Sequence, residues 1–193
     1  MNVHSDRRSA LLDAAIRLAA LQGADGFSMK SLATEAGVAV GSAYSYFPSR
    51  EALLLEAYLR CLSDVAEVMC GALDGEPGFE NQYKRVWFAL WNYCLANPEA
   101  VLCRSQFDRL PAAYGLSAQQ HKEQVFQPIA SWLDQAMAEH HIVNLPHPAI
   151  SALCFEPCLS LACNHNAGLM NADDSLIHQA CSSTLRAITP GKL

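Results

Sequence analysis

Hydroxyl, phenol and cationic side chains are concentrated between residues 28 and 50, where they could bind a polyanion. Lysine and arginine bind phosphate oxygens, and serine and tyrosine hydroxyls hydrogen-bond to phosphates or to base edges. The second half of this stretch, residues 36–50, has no acidic side chain that would repel a phosphate. The chemistry favours a DNA-binding surface, with the candidate residues Lys30, Gly41, Ser42, Tyr44, Ser45, Tyr46 and Arg50.

Two short helices joined by a glycine turn are predicted to position these side chains. The apolar positions Leu32, Ala33 and Ala36 end at Gly37, and a second segment runs from about Ala39 until Pro48 ends it. This spacing is typical of a helix-turn-helix, whose second helix enters the major groove while the first braces it. The alternative is a purely structural hairpin in which Tyr44 and Tyr46 pack in a core.

Charge confines any DNA contact to the N-terminal part of the chain. Residues 1–50 contain five Lys or Arg and four Asp or Glu, whereas residues 51–193 contain eight and fifteen. A protein that bound nucleic acid by bulk charge would be basic throughout. The sequence therefore predicts local contacts to double-stranded DNA rather than a basic surface.

The 3.6-residue period of apolar side chains predicts an all-α fold of nine helices. Ser49 is suited to cap a long fourth helix, Pro128 should kink or divide a seventh, and an eighth should run unbroken through Cys154, Pro157 and Cys158. No membrane span or export signal is apparent, so we expect a cytoplasmic protein whose eight cysteines stay reduced.

The stretch from Phe27 to Leu54 resembles the DNA-binding part of the TetR family of transcriptional repressors. The resemblance rests on Leu32-Ala33, Ala36-Gly37-Val38, Gly41, Tyr44, Tyr46-Phe47 and Ser49-Arg50-Glu51-Ala52-Leu53. It implies a three-helix head with a helix-turn-helix in residues 1–48, followed in residues 49–193 by a helical bundle for ligand binding and dimerisation. It also implies a homodimer on a palindromic operator, released by a small-molecule effector.

The resemblance assigns roles to individual residues of the motif. Ser28 and Lys30 would approach a phosphate, Gly41, Ser42, Tyr44, Ser45 and Tyr46 would face the groove, and Arg50 would meet the DNA backbone beyond. Two departures from the family pattern are Ala39, where a capping Ser or Thr is usual, and Val40, where Lys or Arg is usual; Val40 would instead touch a thymine methyl. Arg7 and Arg8 form either an arm that touches DNA or a solvated chain end.

Aromatic side chains of the C-terminal part are candidates for an effector pocket. They would suit an apolar, neutral or cationic molecule, because basic residues are sparse there. An ordinary core would show the same pattern, and core packing is the commoner use of aromatic residues at helical spacing. The candidate ligand-binding residues are Trp87, Trp91, Arg104, Phe107, Phe126 and Trp132.

The resemblance places the dimer contact on the eighth and ninth helices, with Cys154, Cys158, Leu161, Cys181 and Leu185 as candidate interface residues. An alternative for the cysteines is thiol or oxidant sensing by a regulator of the same fold. The spacing does not match a metal site, and neither a catalytic motif nor a cofactor motif is present. We therefore expect no enzyme, metal or cofactor; a helical protein that does not bind DNA remains the alternative from another class.

Overall fold

The computed structural model describes residues 3–73, 75, 78–107 and 115–191, with side chains described from residue 6 onward and not at 104–107. The described residues form eleven helices and no strand, which confirms the predicted all-α class. The helices are α1 (Val3–Gln22), α2 (Met29–Glu35), α3 (Val40–Tyr46), α4 (Arg50–Gly71), α5 (Phe79–Ala96), α6 (Pro98–Phe107), α7 (Gly115–Val125), α8 (Gln127–Ala138), α9 (His147–Cys154), α10 (Glu156–Asn166) and α11 (Asp174–Ile188).

Local hydrogen bonds fix the ends of α2. Ser28 and Ser31 form a reciprocal cap, in which each hydroxyl accepts from the other residue's amide at 3.1 and 2.9 Å. At the other end Gly37 adopts φ 66°, and the amides of Gly37 and Val38 donate to the carbonyls of Thr34 and Ala33. This is a Schellman turn, which needs a residue that tolerates positive φ and directs the chain into α3.

The polypeptide packs as two compact units, each with its own apolar core. The first unit comprises Met1–Ser63 and Glu99–Lys122, and the second comprises Asp64–Pro98 and Glu123–Leu193. By packing, the first unit therefore extends beyond the predicted head of residues 1–48. Its core includes Cys103 of α6, which is fully buried in the same cluster as side chains of α1 to α4.

Two prolines divide helices that the apolar pattern joins. Pro128 lies in the first turn of α8, so the expected division of the seventh helix is confirmed. Pro157 lies in the first turn of α10, and the eighth helix is two helices that meet at Phe155. The prediction of one unbroken helix there was wrong, because proline lacks an amide hydrogen and its ring clashes with the preceding turn.

The second unit is built around α5. Tyr83 donates a hydrogen bond from its hydroxyl to the Thr184 hydroxyl at 2.8 Å, and the indole of Trp87 donates to the Cys154 carbonyl at 3.2 Å. These bonds join α5 to α11 and α9 and satisfy polar groups that would be costly to bury alone. In the part of the chain that the structure describes, no helix is long and apolar enough to cross a membrane.

Candidate nucleic-acid interface

One face of α3 is open to solvent. Val40, Gly41, Tyr44 and Ser45 are exposed, at positions that share one side of a helix. Ala43 lies on the opposite side and is fully buried in the core of the first unit. The face consists of small and hydroxyl-bearing side chains around one large ring, a shape that can enter a groove.

The other predicted contact residues lie on α2 and α3, except Arg50. Ser42 and Tyr46 are half-buried on α3, whereas Ser28 and Lys30 are exposed at the start of α2. The Ser28 hydroxyl accepts from the Ser31 amide and lies 3.2 Å from the Ser31 hydroxyl, which itself donates to the Ser28 carbonyl. Eight of the nine predicted residues thus lie on α2, on α3 or at the start of α2 and are exposed or half-buried, whereas Arg50 lies at the start of α4.

Arg50 is committed to the protein's own backbone. Its guanidinium donates to the Ala24 carbonyl at 2.7 Å, to the Phe27 carbonyl at 3.4 Å and to the Asp25 carboxylate at 2.9 Å. Three acceptors of the protein itself occupy this guanidinium, whose side chain is 24% exposed, and its contact with a phosphate stays a prediction. Arg50 fastens the turn between α1 and α2 to the start of α4, where Ser49 accepts the Ala52 amide as the predicted cap.

Arg50 and Lys30 are expected to respond differently to truncation. Arg50→Ala should lower the free energy of unfolding by about 1–2 kcal/mol, because charged hydrogen bonds are lost and two carbonyls lose a donor. Lys30→Ala should leave stability unchanged and lower the slope of log Kd against log salt by about one per bound head. Urea unfolding and DNA titrations at several salt concentrations check both. If the two variants were equally stable and Arg50→Ala lowered the slope of log Kd against log salt, the result would favour a phosphate contact by Arg50.

The N-terminus of α3 is as the sequence predicted. Ala39 occupies the capping position and makes no side-chain hydrogen bond to the helix. The missing cap costs on the order of 1 kcal/mol. The packing of Ala43 and of Phe47, which is fully buried just after the helix, holds α3 in place instead.

Of the predicted effector residues whose side chains are described, none lies in the wall of the surface cavity that the structure shows. Trp87 and Trp91 are buried and stack at a centroid distance of 6.3 Å, while Phe126 and Trp132 are half-buried. The side chains of Arg104 and Phe107 lie outside the described residues. A surface cavity of about 400 Å³ has other residues in its wall, namely Gly78, Phe79, Glu80, Asn81, His141, Leu185 and Thr189.

This cavity was not predicted from the sequence. Its wall begins at Gly78, where the helical pattern is interrupted, and residues 74–78 include no candidate side chain. Its connection to the predicted set is indirect, since Phe79 stacks on Trp132 at a centroid distance of 5.0 Å. The only sequence signal was weak: Phe79, an aromatic residue at the start of α5, follows Gly78.

The candidate interface residues are mostly core residues of a single protomer. Cys154, Cys158, Cys181 and Leu185 are buried within their own chain and have little surface to offer a partner. Because only exposed side chains add contact area, their burial does not support the interface assignment, which stays a prediction. Leu161 is half-buried and stays a prediction.

The same burial argues against thiol sensing at Cys154 and Cys158. None of the eight cysteines forms a disulfide. Burial raises the pKa of the Cys154 thiol to about 11, and burial together with the neighbouring Cys94 and Cys181 thiols raises the pKa of Cys158 further. Raised pKa values deplete the reactive thiolate. Cys163 is half-buried. Across the described residues, no group of three Cys, His, Asp or Glu side chains could hold a metal ion.

Two family models match successive parts of the chain. The model described as "Bacterial regulatory proteins, tetR family" matches residues 11–57, which contain the helix-turn-helix. The model described as "Tetracyclin repressor-like, C-terminal domain" matches residues 78–189, more than half of the chain. Together they cover α2 and α3 and most of the second unit.

Individual proteins agree with the family models. An uncharacterized HTH-type transcriptional regulator of Haemophilus influenzae is 31% identical over 107 residues, which are 55% of this chain and 57% of that protein. The fold is similar to a TetR family regulator from Marinobacter aquaeolei, with a TM-score of 0.89, 22% identity and 97% coverage of both chains. A TetR family protein from Vibrio parahaemolyticus gives a TM-score of 0.84 at 28% identity, covering 96% of this chain and all of that one. The chain therefore belongs to the TetR family of helix-turn-helix transcriptional regulators, which bind DNA and are not enzymes.

Proposed function

We propose that the protein is a homodimeric repressor that binds a palindromic operator through α3 and is released by a small apolar effector. The exposed face formed by Val40, Gly41, Tyr44 and Ser45, opposite the buried Ala43, is the observation that carries the DNA contact. The matched segment spans 57% of the Haemophilus relative's length, so operator, dimer and effector are proposals for this chain. In vitro selection of bound DNA tests the function, and a pseudo-palindromic site is the expected result.

Release requires that the effector bind better to a state whose two heads do not fit successive major grooves. Helix α4 suits transmission because it contributes Arg50–Ser63 to the first unit and Asp64–Gly71 to the second. Helix α6 adds a second route, since its buried Cys103 packs in the core that supports α3. A shift of either helix would change the orientation of a head.

A dimer formed through α10 and α11 is expected at micromolar protomer concentration. An isologous contact makes the operator pseudo-palindromic. Leu161→Glu should give monomers that bind DNA poorly, because a charge would enter an apolar contact. Leu116→Glu, on the exposed surface of α7, is the matched control and should remain dimeric. Analytical ultracentrifugation distinguishes the outcomes, and a monomeric wild type would contradict the proposal.

The proposed effector is apolar or aromatic and neutral or cationic. The second unit supports this because Phe79 lies in the wall of its surface cavity and stacks on Trp132. A thermal-shift panel of aromatic amines, phenols, fatty acids and acyl-CoA esters, followed by DNA release, tests it. Stabilisation by acyl-CoA alone would contradict it. Release by oxidants that disappears when Cys154, Cys158 and Cys163 are changed to Ser would favour thiol sensing.

A further inference from the structure

An ion pair between α1 and α4 lies at the end of the recognition helix. Arg8 donates a hydrogen bond to the Glu56 carboxylate, and its guanidinium lies over the Phe47 ring, 5.1 Å from the ring centroid. Phe47 is the C-cap of α3 and follows Tyr46 directly. Both partners are partly solvated, with the Arg8 side chain 44% and the Glu56 side chain 39% exposed. A cation is therefore held beside α3 without being sealed inside the protein.

Most cations of the first four helices have a carboxylate partner. Arg17 pairs with Glu35, Arg60 with Asp13, Arg50 with Asp25 and Arg8 with Glu56. In the described part of these helices, Arg7 and Lys30 are exposed and no ion pair involves them. The first unit thus keeps much of its positive charge neutralised by its own acids.

Arg8 differs from Arg50 in how easily its partner can be exchanged. Arg50 donates to two backbone carbonyls and one carboxylate, whereas Arg8 donates to one carboxylate at the surface. An exposed ion pair adds little to stability and exchanges readily. The major groove is about 12 Å wide, so a helix inserted in it has phosphates close to both of its ends.

We propose that Arg8 is a phosphate-binding side chain and that Glu56 limits DNA affinity by competing with the phosphate for its guanidinium. This proposal rests on the assignment of α3 to the major groove. On DNA the guanidinium would exchange the carboxylate for a phosphate oxygen. The freed carboxylate would then lie close to the negative backbone, which adds a repulsive contribution. Arg8 therefore strengthens DNA binding, whereas Glu56 weakens it.

The test compares Glu56→Gln with Glu35→Gln. Both variants add one positive charge per protomer, but Glu35 pairs with Arg17, which lies nine residues or about 14 Å further along α1 than Arg8. The probes are a 30-base-pair mixed-sequence duplex and a duplex enriched by the wild type. Glu56→Gln should tighten binding to both by about three- to tenfold and steepen the salt slope by about one per head, whereas Glu35→Gln should do neither.

Arg8→Gln and the double variant complete the test. Arg8→Gln should weaken binding, and Arg8→Gln combined with Glu56→Gln should lose the gain, because no guanidinium is left to release. Melting temperatures should stay close to that of the wild type. Binding of Glu56→Gln at or below the wild-type level, or a gain that persists in the double variant, would overturn the proposal. Failure of the wild type to prefer its enriched duplex would instead refute the proposed function.

Discussion

Tyr44→Ala is expected to weaken operator binding on the order of tenfold while the protein folds as well as the wild type. The ring is 52% exposed on the open face of α3, so its loss should change the free energy of unfolding by less than about 0.5 kcal/mol. A side chain in the groove contributes about 1–3 kcal/mol to recognition, and that contribution would be lost. Fluorescence anisotropy with the enriched duplex, together with urea unfolding, measures both quantities.

Leu21→Ala is the matched control for Tyr44→Ala. Leu21 is also a large exposed side chain of the first unit, but it lies at the end of α1. It should leave DNA binding unchanged.

Gly41→Ala separates the stability of the fold from DNA binding, because a Cβ there meets no protein atom within 4 Å. It should stabilise the fold by about 0.5–1 kcal/mol and still weaken DNA binding. Wild-type DNA binding by both Tyr44→Ala and Gly41→Ala would contradict the assignment of this face.

Trp87→Ala is expected to lower the free energy of unfolding by about 3–5 kcal/mol. Trp87 is fully buried in the second unit, and its indole donates to the Cys154 carbonyl, so the variant loses packing and leaves that carbonyl without its donor. Trp132→Ala, at a half-buried position on α8, should cost clearly less. Urea unfolding at one fixed protomer concentration measures both, because dimerisation would make stability depend on concentration.

The outcome decides between a core residue and an effector contact at position 87. A stable Trp87→Ala protein that still binds DNA but no longer responds to an effector would show that Trp87 lines a pocket. A strongly destabilised protein shows that it fills the core. The sequence could not separate these uses, because aromatic residues at helical spacing occur in both.

Features set by neighbouring residues were predictable from the sequence. The turn at Gly37, the cap at Ser49, the absence of a cap at Ala39 and the division at Pro128 depend on residues close together in the chain. The open face of α3 follows from the same local periodicity. The division at Pro157 also depends on a local residue. It was not predicted because the apolar ring of Pro157 matched the helical period, although proline has no amide hydrogen to donate.

Features that depend on distant partners were not predictable. Arg50 and Asp25 are 25 residues apart, and Arg8 and Glu56 are 48 apart. Periodicity indicates which side of a helix is buried, but not which segment covers it. For the same reason an apolar face containing Cys181 could suggest a dimer contact when its own chain covers it.

In vitro selection from a random double-stranded library is the most direct test of the central claim that α3 reads an operator as part of a dimer. The account predicts an enriched pseudo-palindrome whose half-sites are separated by about one helical turn or more. It also predicts that enrichment is lost with Tyr44→Ala and retained with Leu21→Ala. Absence of any enriched sequence, or an enriched site without two-fold symmetry, would contradict the account.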